Sequence, residues 1–206
     1  MRERLQRARL YFVTDAEGDF ERLVAAALRG GVDVVQLRAK EATDEEIVTA
    51  GRVFRRLCSR EGALFVLNDR PDLAVACDAD GVHVGQGDAP VAAARAAVGA
   101  ERLVGLSTHS PEEIETAEGA DYLGVGPVFA TPTKPDGEPV GLDLVRHAAA
   151  HATVPWFAIG GIDLETVGEV AAAGATRVAA VRAIRDAQDP ESAARALRSA
   201  CTDPGV

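Results

Sequence analysis

Short apolar runs alternate with longer amphipathic segments along the chain. The short runs are rich in Val, Ile and Leu and are mostly apolar throughout, which is typical of strands buried on both faces of a parallel sheet. The predicted strands are Leu10–Thr14, Val32–Leu37, Leu64–Leu67, Gly81–Val84, Leu103–Leu106, Tyr122–Val125, Trp156–Ile159 and Arg177–Val181. The predicted helices between them are Asp19–Arg29, Asp44–Arg60, Pro71–Ala76, Pro90–Val98, Pro111–Glu118, Leu142–Ala150, Leu164–Ala173 and Pro190–Ala200.

Eight strand-then-helix units in a row predict an α/β fold with a parallel sheet, and eight is the number that closes a (β/α)8 TIM barrel. An open doubly wound sheet is the alternative, disfavoured because it rarely holds eight parallel strands without antiparallel additions or longer inserts. The chain has 206 residues and no linker, so we interpret residues 1–206 as one domain. The irregular stretch Pro127–Gly141 is long enough to predict a functional loop, for which a lid is a plausible role.

The charge balance narrows the function. Lys and Arg number 22 against 32 Asp and Glu, a net charge of −10, which argues against a nucleic-acid or anionic-membrane surface. The three cysteines, Cys58, Cys77 and Cys201, are too widely spaced for a disulfide framework or a zinc site. Neither a signal peptide nor an apolar run near the roughly 18 residues of a membrane span is evident. We therefore expect a cytoplasmic protein, with a homo-oligomer possible.

Cations follow two of the predicted strands, at the end where barrel active sites form. Arg38 and Lys40 come after the second strand, and Lys134 lies in the loop after the sixth. Lys40 and Lys134 are the only lysines in the chain, and a compact ammonium group suits a phosphate oxygen. The alternative is that all three cations are surface charges, with Arg38 and Lys40 paired to Glu41.

Two carboxylates follow the third and fourth strands. Asp69 comes after Asn68, the only asparagine of the chain, and Asp88 follows the next strand. Adjacent strands lie about 4.8 Å apart, so the two groups could share one ion. Mg²⁺ takes one or two protein carboxylates and completes its coordination with water and substrate phosphates. Alternatively, each aspartate caps the helix that begins near Pro71 or Pro90.

Backbone groups at the seventh and eighth strands suggest a second anion site. Gly160-Gly161 and the turn at Val181–Arg182 are similar to the phosphate cup of barrel enzymes, although the glycines could also form only a tight turn. His83 lies within a strand and fits a packed core position as well as a ligand-facing one. Neither a Ser–His–Asp set nor a G-x-G-x-x-G after a strand is present, which disfavours hydrolase and dinucleotide-binding functions.

Six motifs occur in the order in which a known family carries them. They are VVQLRAK, FVLNDRPDLA, GVHVGQGD, VGLSTHS, YLGVGPVFATPTK and FAIGGI. Through them the chain resembles the thiamine-phosphate synthase family over nearly its whole length, from LYFVTD at residues 10–15 to AIRDAQDP at 183–190. The family has the (β/α)8 barrel, in agreement with the fold predicted above.

The resemblance implies roles for individual residues. The pyrimidine diphosphate would be held by Gln36, Arg38, Lys40, Asn68, Ser107 and Lys134, Mg²⁺ by Asp69 and Asp88, and the thiazole phosphate by Thr131, Thr133, Gly161, Val181 and Arg182. The catalytic part would fall to Arg38, Lys40, Ser107 and Lys134. Many family members carry Ser where this chain has Arg182, so that contact would be made by the backbone or by the guanidinium.

The resemblance also implies a reaction. Diphosphate would leave the exocyclic CH₂ carbon of the pyrimidine with help from Mg²⁺, and the thiazole nitrogen would attack the resulting cation. A paralogous thiazole tautomerase is the nearest alternative, but it would have no use for the diphosphate and metal residues found here. A barrel that binds a phosphate ligand without catalysis is the alternative from another class of function.

Overall fold

The structure, a computed structural model, describes residues 1–131 and 138–201. Its parallel strands form a closed barrel in chain order, and the first strand pairs with the eighth through Leu10 with Val178 and Phe12 with Ala180. The strands are β1 Leu10–Thr14, β2 Val34–Leu37, β3 Leu64–Asn68, β4 Gly81–Val84, β5 Leu103–Thr108, β6 Tyr122–Val125, β7 Trp156–Ile159 and β8 Val178–Ala180. The predicted TIM barrel is confirmed, and the open sheet is excluded.

Helices surround the barrel and agree with most of the predicted segments. In the described part of the chain they are α1 Arg2–Arg7, α2 Phe20–Arg29, α3 Asp44–Glu61, α4 Pro71–Ala74, α5 Val91–Val98, α6 Pro111–Glu115, α7 Gly141–His151, α8 Val167–Ala172, α9 Arg182–Arg185 and α10 Pro190–Ala200. Within residues 1–131 and 138–201, every helix is too short or too polar to cross a lipid bilayer.

Of the element boundaries that differ from the sequence prediction, two have a clear local cause. β2 begins at Val34 because the N–H of Val32 still donates to the carbonyl of Ala27, within the C-terminal turn of α2. α8 begins at Val167, after a turn in which a carboxylate oxygen of Asp163 accepts the N–H groups of Glu165 and Thr166. Side-chain hydrogen bonds to the backbone therefore replace helical ones in that turn.

Two short helices, α1 and α9, were absent from the prediction. α1 is charged and has a single buried residue, Leu5, which is 2% exposed and packs in the barrel interior with Leu64 and Leu103. One apolar residue in six gives too weak a periodicity to predict a helix from sequence. α1 thus packs against the N-terminal end of the barrel, and its Leu5 fills part of the interior there.

The strands divide their side chains between two cores. Along β1, Tyr11 and Val13 pack in the barrel interior, whereas Leu10 and Phe12 pack against the surrounding helices. This alternation follows from the two-residue period of a strand. It also means that a polar residue at an inward position, such as Gln36 on β2, must find its hydrogen bonds inside the barrel.

Three aspartates support the N-terminal end of the barrel. Asp33, Asp80 and Asp121 immediately precede β2, β4 and β6, and each carboxylate accepts a backbone N–H from the neighbouring odd-numbered strand. The donors are Leu10 at 3.0 Å, Phe65 at 2.8 Å and Val104 at 2.9 Å, in the same order. Each aspartate therefore ties together two adjacent strands where the ladder begins.

Arginines neutralise these three carboxylates. The guanidinium groups of Arg4 and Arg55 lie 3.2 and 2.7 Å from the carboxylate of Asp80, whose side chain is only 7% exposed. Asp121 is paired with Arg2 and Arg95, and Asp33 with Arg198. Because Arg2 and Arg4 belong to α1, the same ion pairs attach this helix to the barrel.

Candidate active site

A cavity of about 550 Å³ opens at the C-terminal ends of the strands. Its walls come from β1 to β8 and the segments that follow them, as expected for a barrel site. Eight of the residues predicted from sequence line it: Gln36, Arg38, Asn68, Ser107, Thr131, Gly161, Val181 and Arg182. Sequence reasoning therefore brought together side chains that are far apart in the chain.

The other predicted residues lie at the rim or cannot be placed. Lys40 lines a neighbouring pocket of about 810 Å³, which shares Arg38 with the main cavity. Asp69 is next to Lys40, with Lys40 Nζ 3.3 Å from a carboxylate oxygen of Asp69. Thr133 and Lys134 lie outside the described residues, so their predicted contacts stay predictions.

Arg38 is a cation at the mouth of the cavity. Its backbone N–H donates to the carbonyl of Thr14, which fixes the end of β2 against β1. Its side chain makes neither a hydrogen bond nor an ion pair with any residue in the described ranges. The alternative pairing with Glu41 is therefore not seen, and the guanidinium can accept an anionic ligand.

Asp69 and Asp88 are in direct contact with each other. Asp69 has a left-handed backbone, with φ of 58°, and its N–H donates to the carbonyl of His83 on β4. Asp88 accepts the N–H of Gly85 at 2.8 Å, which holds its carboxylate over the end of β4. Left-handed backbone at a non-glycine residue is disfavoured and concentrates at functional sites.

Neither aspartate caps a helix. The residue before α4 is Arg70 and the residue before α5 is Pro90, and neither helix has a side-chain cap. The capping interpretation of Asp69 and Asp88 was therefore wrong. Among their interactions, the two carboxylates contact each other, Lys40 lies beside Asp69, and Asp88 accepts the N–H of Gly85.

The electrostatics of this pair fit a divalent cation. Burial, followed by the adjacent Asp88 carboxylate, raises the pKa of Asp69, while Lys40 acts in the opposite direction. A bound cation would relieve the repulsion between the two ionised groups. Within the described residues no group of three or more His, Cys, Asp or Glu side chains could hold a metal. Two carboxylates with open positions match Mg²⁺, which keeps water and phosphate ligands.

A chain of hydrogen bonds crosses the floor of the cavity. The amide nitrogen of Gln36 donates to the hydroxyl of Tyr11 at 2.8 Å, and the hydroxyls of Tyr11 and Tyr122 are 2.9 Å apart. His83 lies 3.2 Å from Tyr122 through Nδ1 and 2.9 Å from the Ser107 hydroxyl through Nε2. His83 is thus both buried and part of the cavity wall. The core position and the ligand-facing position that the sequence left open for it are therefore the same place.

Sequence reasoning missed the two tyrosines of this chain of bonds. Tyr11 and Tyr122 are the only tyrosines in the protein, and each lies in a strand that was interpreted as apolar core. The rarity that drew attention to Asn68 and the lysines would have drawn attention to them too. Burial raises the pKa of both phenols, which therefore remain protonated hydrogen-bonding groups.

The glycines after β7 are required by packing. Gly160 and Gly161 have φ of 103° and 63°, and a Cβ atom on either would come within 2.5 Å of Pro127 or 2.7 Å of Phe129. The loops after β6 and β7 therefore approach each other closely, which only glycine allows. The same approach leaves the backbone of this turn exposed to the cavity.

Arg182 begins α9 on the same side of the cavity. Its Nε donates to a carboxylate oxygen of Asp186 at 2.9 Å, and its side chain is 53% exposed. Asp186 is also paired with Arg185, which lies 3.6 Å from Asp15. The guanidinium of Arg182 therefore lies beside the cavity with its orientation set by one carboxylate.

Comparison with known proteins identifies the family of this chain. The sequence profile of the family described as thiamine monophosphate synthase matches residues 10–184. The chain belongs to that family. It is 54% identical over 202 residues to the thiamine-phosphate synthase of Synechococcus sp. (strain CC9311), covering 95% of this chain and 57% of that protein. It is 53% identical to that of Streptomyces avermitilis, covering 94% and 93%. The resemblance that was predicted from motifs is confirmed.

Comparison with solved structures also finds a thiamine phosphate pyrophosphorylase with the same fold. A thiamine phosphate pyrophosphorylase from Pyrococcus furiosus superposes with a TM-score of 0.87 at 36% identity, covering 97% of this chain and 96% of that one. A 3-hexulose-6-phosphate synthase superposes with a TM-score of 0.65 at 23% identity, which shows the shared barrel alone. The chain spans somewhat more than half the length of its cyanobacterial relatives.

Proposed function

We propose that this protein is a thiamine-phosphate synthase. It would join 4-amino-2-methyl-5-(diphosphooxymethyl)pyrimidine to 4-methyl-5-(2-phosphoethyl)thiazole, or to its carboxylated form, and release diphosphate. Membership of the family supports the proposal. The observation that carries it is the contact between Asp69 and Asp88 beside the cations Lys40 and Arg38 at the mouth of the cavity. A leaving diphosphate needs that combination of metal ligands and positive charge.

The acidic pair would hold the metal. Asp69 and Asp88 would bind Mg²⁺, which when present supplies positive charge to the oxygens of the departing diphosphate. Arg38 would contribute a planar guanidinium able to bind two of those oxygens, and Lys40 a single ammonium charge. Lys40 now shares its charge with Asp69 at 3.3 Å, so a phosphate would compete with that carboxylate for the same cation.

The bond changes need no nucleophile from the protein. The C–O bond between the exocyclic CH₂ carbon and the diphosphate breaks, and both electrons leave with the diphosphate. The positive charge left on the CH₂ carbon spreads into the aminopyrimidine ring. The lone pair of the thiazole nitrogen then forms the new C–N bond, which makes the ring a thiazolium. The described residues would accordingly act by positioning, by charge and by excluding water.

The two substrates would use opposite walls of the cavity. Gln36, Asn68 and Ser107, from β2, β3 and β5, would orient the pyrimidine diphosphate. The thiazole phosphate would lie against the segments after β6, β7 and β8, which contribute the following residues: Thr131, Gly161, Val181 and Arg182. Held in this way, the ring nitrogen of the thiazole would face the carbon that loses diphosphate.

The decisive experiment follows diphosphate release by the purified protein. Both substrates are mixed with it in the presence and in the absence of Mg²⁺, and Mg²⁺ binding is measured separately by titration calorimetry. The Asp69→Asn variant is compared with Asp80→Asn, which changes a carboxylate at the other end of the barrel. We expect release that needs both substrates and Mg²⁺, is lost in Asp69→Asn and is retained in folded Asp80→Asn.

A different result would identify an alternative function. A folded wild-type protein that releases no diphosphate would exclude synthase activity in this chain. Proton transfer on a thiazole carboxylate phosphate would then indicate a tautomerase. Binding of the phosphate ligands with neither reaction would indicate a barrel that only binds them.

A further inference from the structure

We propose that the buried pair Tyr11 and Tyr122 selects an aminopyrimidine over an oxopyrimidine, because it links the amide of Gln36 to the hydroxyl of Ser107. The proposal rests on the proposed function, whose pyrimidine substrate it specifies further. Both tyrosines act through other residues, so they are positioning residues. They set which hydrogen-bonding groups the cavity presents.

With Gln36 donating through its amide nitrogen to Tyr11, one assignment of the remaining protons satisfies every bond of the chain. The Tyr11 proton would then be donated to Tyr122, and the Tyr122 proton to Nδ1 of His83. A neutral imidazole that accepts at Nδ1 carries its proton on Nε2, which donates to the Ser107 oxygen. Each hydroxyl has one proton, so reversing any bond requires reversing all of them.

This direction of donation determines whether Gln36 and Ser107 present a donor or an acceptor to a ligand in the cavity. The amide nitrogen of Gln36 is engaged with Tyr11, and its carbonyl oxygen makes no hydrogen bond to the described residues although Gln36 lines the cavity. Gln36 therefore presents an acceptor. The Ser107 oxygen accepts from His83, which leaves its own proton as a donor. An amino group matches the first and an unprotonated ring nitrogen matches the second.

An oxopyrimidine has the opposite pattern, with a carbonyl in place of the amino group and a proton on the adjacent ring nitrogen. To bind it equally well, Gln36 would have to rotate its amide and every bond through both tyrosines would have to reverse. Leaving a buried donor or acceptor without a partner is costly. The chain of hydrogen bonds thus disfavours the oxopyrimidine at Gln36 and at Ser107 together.

The backbone makes room for this arrangement. β5 carries Gly105 at the inward position next to Tyr122 and His83, and a Cβ atom there would meet the Tyr122 ring and come within 2.6 Å of Nδ1 of His83. A glycine is therefore needed where the two side chains meet. Tyr122 itself is 1% exposed, and its ring also packs edge-on against Phe157, a contact that phenylalanine would keep.

The test compares Tyr122→Phe with wild type, using the aminopyrimidine diphosphate and its 4-oxo analogue. Dissociation constants are measured by calorimetry, and kcat and KM by diphosphate release. We expect the preference for the amino compound to fall by about tenfold in binding, because one hydrogen-bonded link between the two ends is lost, with a smaller change in kcat. Tyr11→Phe removes the anchor of Gln36 directly and should have at least as large an effect.

A mutant cycle measures the coupling itself. In wild type the effects of Gln36→Ala and Ser107→Ala on binding should be non-additive, and in the Tyr122→Phe background they should add. Thr14→Val is the matched control, since the Thr14 hydroxyl is buried and has no hydrogen-bond partner in the described part of the chain. It should leave the preference unchanged.

The outcomes separate this inference from the proposed function. A wild type that binds neither pyrimidine would overturn the proposed function. A wild type that prefers the amino compound, beside tyrosine variants that fold and keep the same preference, would overturn this inference alone. Additive effects of Gln36→Ala and Ser107→Ala in wild type would do so as well.

Discussion

The two ends of the barrel use the same residue types in opposite ways. At the N-terminal end, Asp33, Asp80 and Asp121 each accept a backbone N–H and are paired with arginine. At the C-terminal end, the carboxylates of Asp69 and Asp88 contact each other, Lys40 lies beside Asp69, and Asp88 accepts the N–H of Gly85. Arginine is paired with each carboxylate at one end, whereas two carboxylates contact each other at the other.

This difference shows how a barrel separates stability from ligand binding. The carboxylates at the N-terminal end are stabilised by backbone N–H groups and arginine without any ligand. Two carboxylates in contact repel each other when both are ionised, and a bound cation would relieve that repulsion. The N-terminal end therefore fits a structural role, and the C-terminal end fits the proposed cation site.

Asp69→Asn, at the C-terminal end of the barrel, should cause the largest loss of activity. Loss of one of the two carboxylates proposed to bind Mg²⁺ should lower kcat/KM for diphosphate release by about 1,000-fold, because the charge on the leaving group would lose its main stabilisation. Steady-state kinetics at saturating Mg²⁺ would measure it, with Asp80→Asn as the matched control. Equal losses in the two variants would contradict the separation of roles.

Asp80→Ala should destabilise the protein at the N-terminal end of the barrel. The change removes the partner of Arg4, of Arg55 and of the Phe65 N–H, so the free energy of unfolding should fall by about 3 kcal/mol. Urea denaturation followed by circular dichroism would measure the loss. Activity per folded molecule should be retained, and a fully inactive but stable variant would refute the assignment.

The stability contributed by Asp69 at the C-terminal end should depend on pH. Because the pKa of Asp69 is raised in the folded protein, the folded state binds its proton more tightly than the unfolded state does. That contribution is complete below the ordinary aspartate value of about 3.9 and is lost as the pH rises through the raised value. Without divalent cations, wild type should therefore lose stability relative to Asp69→Asn as the pH rises from about 4.

The measurement is a series of urea titrations of both proteins across that pH range. Adding Mg²⁺ at neutral pH should stabilise wild type and leave Asp69→Asn nearly unchanged, since binding to the folded state adds stability by mass action. A wild type that gains stability over the variant with rising pH in the absence of metal would contradict the electrostatics described for this pair.

Arg2→Gln should have the smallest effect. The Arg2 side chain is 53% exposed, so its pair with Asp121 is screened by water. Asp121 keeps Arg95 and the Val104 N–H as partners. We expect a loss of about 0.5 kcal/mol in the free energy of unfolding, measured by the same denaturation and reduced further by salt. A loss as large as that of Asp80→Ala would show that α1 is attached mainly through Arg2.

The sequence predicted the barrel well because its apolar runs are strong and regular. It also predicted which residues line the cavity, since the C-terminal ends of parallel strands converge, and Gln36, Asn68 and Ser107 are there. It could not predict the chain of hydrogen bonds through Tyr11 and Tyr122, because a tyrosine that points inward from an apolar strand gives the same sequence pattern as a core residue. Its hydrogen-bond partner is visible only when the strands are placed side by side.

The supporting aspartates escaped prediction for a related reason. Asp33 and Asp80 stand just before strands, where a polar residue is ordinary turn chemistry. Their partners lie on other elements, as with Asp33 and Arg198 at the far end of the chain. α1 was missed because its stability comes from one buried leucine and two ion pairs, which leave no periodic pattern.

The position of Leu5 has a consequence for ligand access. Leu5 of α1 packs in the barrel interior at the N-terminal end, and the cavity opens at the C-terminal ends of the strands. Under the proposed function both substrates would therefore approach from the C-terminal end. The molecule that lies deepest, against Gln36, would then have to bind first and leave last.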